Sequence, residues 1–282
     1  MMNKVIIASD STTDIGPELI ARHGVKVLPL GINLGDRLYA DGVDIHPDMI
    51  YKHYEETGEL PKTSAINTAD FYEFFKEHTA DGSAVVFFTI SSAMSSTYGN
   101  ACLAAKEFEN VYVVDTANLS SGGGLLLLSA CDMRDRGMRP EDIARECTAL
   151  REKVSASFVV DDLTFLYKGG RCSALAALGA NLVQIKPCIA VKEGKMGVDR
   201  KYRGRFAAVL KKYIADQLED GEDISLERAF VTHAGCDEEI VEQCASQVRE
   251  ALPFEEVIIT RAGCTVSSHC GRNTLGVLFL RK

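Results

Sequence analysis

The chain has no tryptophan, and aromatic residues make up only 7% of it. Aliphatic and alanine-rich packing is therefore expected to fill the interior. It also lacks any block of basic residues, and its formal net charge is −9. That balance excludes a binder of the phosphate backbone, which needs clustered cations. It equally excludes a polybasic tether to an anionic membrane. No apolar run approaches the roughly 20 residues of a membrane span. The longest lies around Gly124 to Leu128. The opening MMNKVIIASDS has too short an apolar run for a signal peptide and no small-residue cleavage site.

The nine cysteines include no C-x-x-C pair. Cys264, His269 and Cys270 alone do not make a four-ligand zinc set. The cysteines read as small buried hydrophobes in a reducing cytosol, so the expected localisation is cytoplasmic and no metal is expected. Three nucleotide and hydrolase signatures are absent as well: G-x-x-x-x-G-K-[ST], G-x-G-x-x-G and G-x-S-x-G. Gly122-Gly123-Gly124 is the nearest phosphate-loop candidate, but no lysine follows it. It reads instead as a close approach of a helix to a sheet, and no cofactor is expected.

What is present is an ordinary globular balance, 46% apolar and 25% charged, over 282 residues. That length favours two domains. The first half alternates continuous β-rich runs with helical patterns. Strands are expected at Lys4–Ala8, Val25–Leu30, Ala84–Ile90 and Val111–Val114, and helices from Pro17, at Ala69–His78, Thr97–Glu107 and Gly123–Arg136. Continuous apolar strands suit a parallel sheet covered on both faces.

The second half predicts helices at Glu141–Lys153, Ser173 to about Leu182, Phe206–Leu218 and Glu238–Ala251. Its strands are expected at Ser157–Val160, Arg228–His233, Glu256–Arg261 and Thr274–Leu280, with a hairpin through Lys186–Val191 and Glu193–Met196. The fold class is therefore α/β: an N-terminal parallel-sheet, Rossmann-like domain over residues 1–155, and a C-terminal α+β domain over 156–282.

Three Ser/Thr-rich segments read as turns where strands end and helices begin: Ser9–Thr13, Thr63–Ala65 and Ser91–Thr97. In an open α/β sheet the ligand crevice lies beyond the carboxyl ends of the strands. Hydroxyls and N–H groups at a helix start suit an anion, although each such residue also serves as an ordinary helix cap. Without a fixed cation the anion is better a carboxylate than a polyphosphate. His269 reads as lying in a loop between the final two strands, and His233 ends a strand beside Gly235. Composition does not separate the two histidines.

Several segments, in order, resemble the DegV family of bacterial fatty-acid-binding proteins. Ile7-Ala8-Ser9-Asp10-Ser11-Thr12 resembles its I-x-x-D-S-T start, and Lys62-Thr63-Ser64 its K-T-S turn. Ile90 to Tyr98 resembles I-S-S-x-L-S-G-T-Y, and Leu166 to Arg171 resembles L-x-K-G-G-R. Ile185-Lys186-Pro187 is similar to its I-K-P strand, and Ser268-His269 to its late G-T-H loop.

The resemblance implies an acyl chain in a tunnel between or beside the domains. It implies a carboxylate met by Thr63, Ser95 and His269, with Ser64 and Ser96 nearby. It further implies presentation of a long-chain fatty acid to an ATP-dependent fatty-acid kinase. Lys168, Arg171, Arg203 and Arg205 would then form a basic face for that partner. Arg272, in a segment that departs from the family's T-G-P-G, is expected to add a cation at the tunnel mouth. No catalysis is expected. The alternative is a hydrolase or acyltransferase using Ser95 with His269.

Overall fold

The computed structural model describes residues 4–172 and 185–282. Four parallel strands make the first sheet: β1 (Val5–Asp10), β2 (Lys26–Leu28), β6 (Ala84–Thr89) and β7 (Val111–Asp115), in the order β2-β1-β6-β7. All six residues of β6 are buried, as a strand covered on both faces requires. The covering helices are α1 (Gly16–His23), α3 (Thr68–Thr79), α4 (Thr97–Ala105), α5 (Ser121–Asp135) and α6 (Pro140–Leu150). The expected parallel α/β half is therefore present.

A small antiparallel sheet, not foreseen from the sequence, sits beside it. Its strands are β3 (Gly31–Leu34), β4 (Arg37–Ala40) and β5 (Lys62–Ser64), in the order β4-β3-β5. Helix α2 (Pro47–Thr57), also unforeseen, lies between β4 and β5 in the chain. Thr63 and Ser64 thus belong to a strand paired with Gly31–Asn33, not to a turn at the edge of the parallel sheet. The segment is too short for its period-two pattern to stand out in the sequence.

The second half forms a six-stranded mixed sheet, β10-β9-β8-β13-β11-β12. Its strands are β8 (Val154–Val160), β9 (Ile185–Lys192), β10 (Lys195–Arg203), β11 (Ile224–Ala234), β12 (Glu256–Arg261) and β13 (Thr274–Arg281). Helices α8 (Phe206–Leu218) and α9 (Glu238–Ala251) cover one face, with boundaries as the periodicity predicts. The expected hairpin is β9–β10. Its two connecting residues, Glu193 and Gly194, both have positive φ, which matches the twist of the strands they join. The helix expected from Ser173 lies outside the described residues.

Helix α5 joins the halves. Every residue from Ser121 to Cys131 is buried, and the helix packs on β1 and β6 on one side and on β8 and β13 on the other. A helix apolar all round belongs in such a core. The glycine run allows the approach: a Cβ on Gly124 would lie 2.7 Å from the Thr13 carbonyl oxygen. One on Gly122 would lie 3.3 Å from the Ala156 Cβ on β8.

Two further α-helices are short, α7 (Thr164–Gly169) and α10 (Cys264–Cys270). His269 is therefore on a helix, where a loop was expected. Gly263 and Gly271 bracket only seven residues, too few for a helical repeat to show in the sequence.

Candidate functional site

Three buried aspartates hold the segments that form the site. Asp10, at the end of β1, accepts hydrogen bonds from its own turn at Thr12 and from the Ile90 N–H at 2.7 Å. Asp14 receives the Gly263 N–H at 2.8 Å and is hydrogen-bonded to Ser120 Oγ at 2.6 Å. Asp41, just after β4, accepts from the N–H groups of Cys264 and Thr265, from the Thr265 hydroxyl, and from Ser11 Oγ. It satisfies amides at the start of α10 that have no partner within the helix. Burial without a cation pushes the carboxyl of Asp10 up to about 6 and that of Asp14 to about 8. The Ser9–Thr13 turn thus serves as scaffold, and its hydroxyls are spent on internal partners.

The segments so held enclose a cavity of about 250 Å³. Thr63 and Ser64 enter from β5, Ser95 and Ser96 from the turn before α4, and His269 from α10. All five residues expected at a head-group site therefore share one cavity. Its other walls are mainly apolar, including Leu30, Ile90, Met94, Leu119, Met196 and Val266.

Thr63 Oγ1 and His269 Nε2 are 3.0 Å apart. His269 Nδ1 is fully shielded and has no hydrogen-bond partner among the described residues. Burial, aided by the charge of Arg171, lowers the imidazole to about 4, so the ring is neutral at physiological pH. Gly169, the last residue of α7, makes room for it: a Cβ there would lie 2.6 Å from Nδ1.

Ser95 Oγ lies 2.8 Å from Thr97 Oγ1 and accepts the Thr97 N–H at 3.2 Å, so its hydroxyl is engaged at the start of α4 while the residue lines the cavity. The expected alternative required Ser95 to be paired with His269. Each is instead paired elsewhere, Ser95 with Thr97 and His269 with Thr63.

Two cations stand differently from expectation. Arg171, assigned to a partner face, lines the cavity while remaining exposed, and its Nη1 donates to the Gly169 carbonyl at 2.9 Å. Arg272, expected at the mouth, is 3.4 Å from Glu55 and packs over the Tyr51 ring, and it does not line the cavity. Lys168, Arg203 and Arg205 are exposed. His233 caps its own turn, its Nδ1 accepting the Cys236 N–H, and lines the compartment beyond Cys270, not the cavity that holds Thr63 and Ser95.

Beyond Leu119, Val266 and Cys270 the space narrows to a compartment of about 30 Å³, walled in part by Phe158, Ala234 and Leu278. Ser120, Thr232 and Thr274 also line it, but each hydroxyl is bound elsewhere: to Asp14, Ser121 and the Cys270 carbonyl. The two cavities thus share a wall of Leu119, Val266 and Cys270, and the second has a mainly apolar lining.

A family model described as "Uncharacterised protein, DegV family" matches residues 4–282. The chain belongs to the DegV family. A DegV domain-containing protein of Clostridium acetobutylicum is 32% identical, with both chains covered in full. A Thermus thermophilus structure, described as fatty acid binding of a DegV family protein, superposes with a TM-score of 0.91 at 30% identity, covering 99% of this chain and 100% of that one. A stearic-acid-binding protein of Eubacterium ventriosum superposes with a TM-score of 0.84 at 26% identity, covering 100% of this chain and 99% of that one. Among the described residues no helix is long and apolar enough to cross a membrane.

Proposed function

We propose that the protein binds one long-chain fatty acid and does no chemistry on it. The carboxylate would sit among Thr63, Ser95 and His269, with Ser64, Ser96 and Arg171 adjacent. The tail would extend past Leu119 into the apolar compartment. The observation that carries this reading is a cavity lined by hydroxyls and an imidazole, adjoined across Leu119, Val266 and Cys270 by a second, mainly apolar compartment. The relatives described as fatty-acid-binding support it. Burying each methylene contributes about 0.8 kcal/mol before ordering costs, so the tail supplies affinity and the polar end orientation. Residues 1–155 then provide the hydroxyls, and 156–282 cover the tail and bring His269.

Presentation of the carboxylate to an ATP-dependent kinase in the cytosol is the finer part of the proposal. Lys168, Arg203 and Arg205 are its candidate docking cations, with Arg171 shared between that face and the cavity. Organic extraction of the purified protein followed by lipid mass spectrometry tests the binding reading. A stoichiometric long-chain fatty acid is the expected result. A protein that neither carries one nor takes up added hexadecanoate would overturn it.

A further inference from the structure

The turn before α4 is held from two sides. From the first half, Asp10 accepts the Ile90 N–H, Asp115 accepts both the N–H and the hydroxyl of Ser92, and the Asn118 carbonyl accepts the Ser91 N–H at 2.8 Å. From the second half, the hold is on the Ser91 side chain. That side chain is 1% exposed, and its hydroxyl donates at 2.7 Å to the carbonyl of Gly194, 103 positions away. Among the described residues this is the one hydrogen bond that joins the turn to the mixed-sheet half. The same oxygen accepts the Ala93 N–H at 3.2 Å, so the hydroxyl is satisfied as donor and as acceptor. The Ser91 carbonyl accepts the N–H groups of Met94 and Ser95, at 3.0 and 3.2 Å. Ser95 is thus placed by Ser91, and Ser91 by the β9–β10 hairpin.

Gly194 is suited to this contact. It is buried at the hairpin tip with φ of 75°, and a Cβ on it would stand 2.6 Å from Ser91 Oγ. Glycine combines that backbone with so close an approach at no steric cost. Two residues on, Met196 lines the head-group cavity, and its carbonyl receives the thiol of Cys172, the residue after Arg171. The hairpin therefore meets both the serine turn and the segment that carries Arg171. We infer that Ser91 is a positioning residue for the head-group site: its bond to the hairpin tip fixes the turn that carries Ser95 and Ser96, so the site is complete only while the hairpin is docked. Ser91 does not itself line the cavity and acts through those two serines. Without its hydroxyl the buried Gly194 carbonyl loses this partner, and the turn is released on that side. The inference rests on the fatty-acid reading above.

The test uses delipidated full-length protein titrated with hexadecanoate. Ser91→Ala should raise Kd by roughly tenfold, the effect of one lost buried hydrogen bond. In a background carrying both Ser95→Ala and Ser96→Ala, the same substitution should change Kd by less than about twofold, because the hydroxyls it positions are gone. Ser91→Cys keeps the shape and a weaker donor, so its Kd should rise by only about threefold. Thermal melts show whether each variant folds, and the cysteine variant carries the same cycle if the alanine one does not.

An unchanged Kd in the folded Ser91 variants overturns the inference. So does an equal rise in both backgrounds, which is what a merely structural serine would give. Failure of the parent to bind hexadecanoate would instead remove the fatty-acid reading, and this inference with it.

Discussion

Thr63 Oγ1 and His269 Nε2 meet at 3.0 Å although 206 positions separate them. The small antiparallel sheet brings them together. Thr63 lies opposite Ile32 on β3, and Asp41, which follows the neighbouring strand β4, holds the first amides of α10. The same sheet thus places the hydroxyl and anchors the helix that carries the imidazole.

Replacing Thr63 by valine keeps the shape and removes the hydroxyl. The loss of one head-group hydrogen bond, with the imidazole left unpaired, should cost about 1–3 kcal/mol of fatty-acid binding, a roughly fivefold to 150-fold rise in Kd. Titration with hexadecanoate measures it. An unchanged Kd would take Thr63 out of the head-group site.

Gly169→Ala tests the wall behind the histidine. Its Cβ would stand 2.6 Å from His269 Nδ1, so the ring must move away from Thr63. The backbone there is helical and accepts alanine without strain. Hexadecanoate affinity is expected to fall by roughly tenfold, with the helix retained or strengthened by alanine's propensity. Unaltered affinity would show that the position of the ring does not matter.

His269 should titrate abnormally. In the ligand-free protein its imidazole resists protonation down to about pH 4, mainly through burial. The unfolded ring accepts a proton near its ordinary 6.5, so this group's contribution to stability is present above that value and is lost as pH falls towards 4. His269→Gln should remove that part of the acid-side slope in chemical denaturation. A bound carboxylate should raise the imidazole pKa by its charge, and nuclear magnetic resonance of the ring reads both states. A ring that titrates near 6.5 without ligand would contradict the buried geometry.

Asp14 gives the opposite slope. Burial holds its carboxyl up to about 8, against 3.8 in the unfolded chain. The folded state therefore keeps a proton that the unfolded state has released, and stability from this group declines as pH rises from about 4 to about 8. Asp14→Asn should match the parent near pH 4 and gain on it by pH 8, as followed by urea melts. A constant difference across that range would mean that the carboxyl is ionised throughout.

Much of the fold was readable because it is local. Helices α8 and α9 and strand β12 have the boundaries their periodicity predicts. The positive-φ pair Glu193-Gly194 marks the hairpin by its own turn chemistry. Of the elements that escaped, β3 to β5, α7 and α10 are short, and their stability comes from what they pack against; α2, with 11 residues, escaped as well.

The sequence alone determined the parallel and mixed halves and the family resemblance, and that resemblance pointed to Thr63, Ser64, Ser95, Ser96 and His269, which share one cavity, since motif and periodicity are both written along the chain. Only the tertiary structure decided that His269 sits on a helix, that Arg171 lines the cavity while Arg272 pairs with Glu55, and that Asp10, Asp14 and Asp41 bind the site's segments together. The physical reason is common to all three. Each depends on a hydrogen bond, an ion pair or a contact between segments distant in sequence, and such a partner is fixed by packing, which no local pattern records.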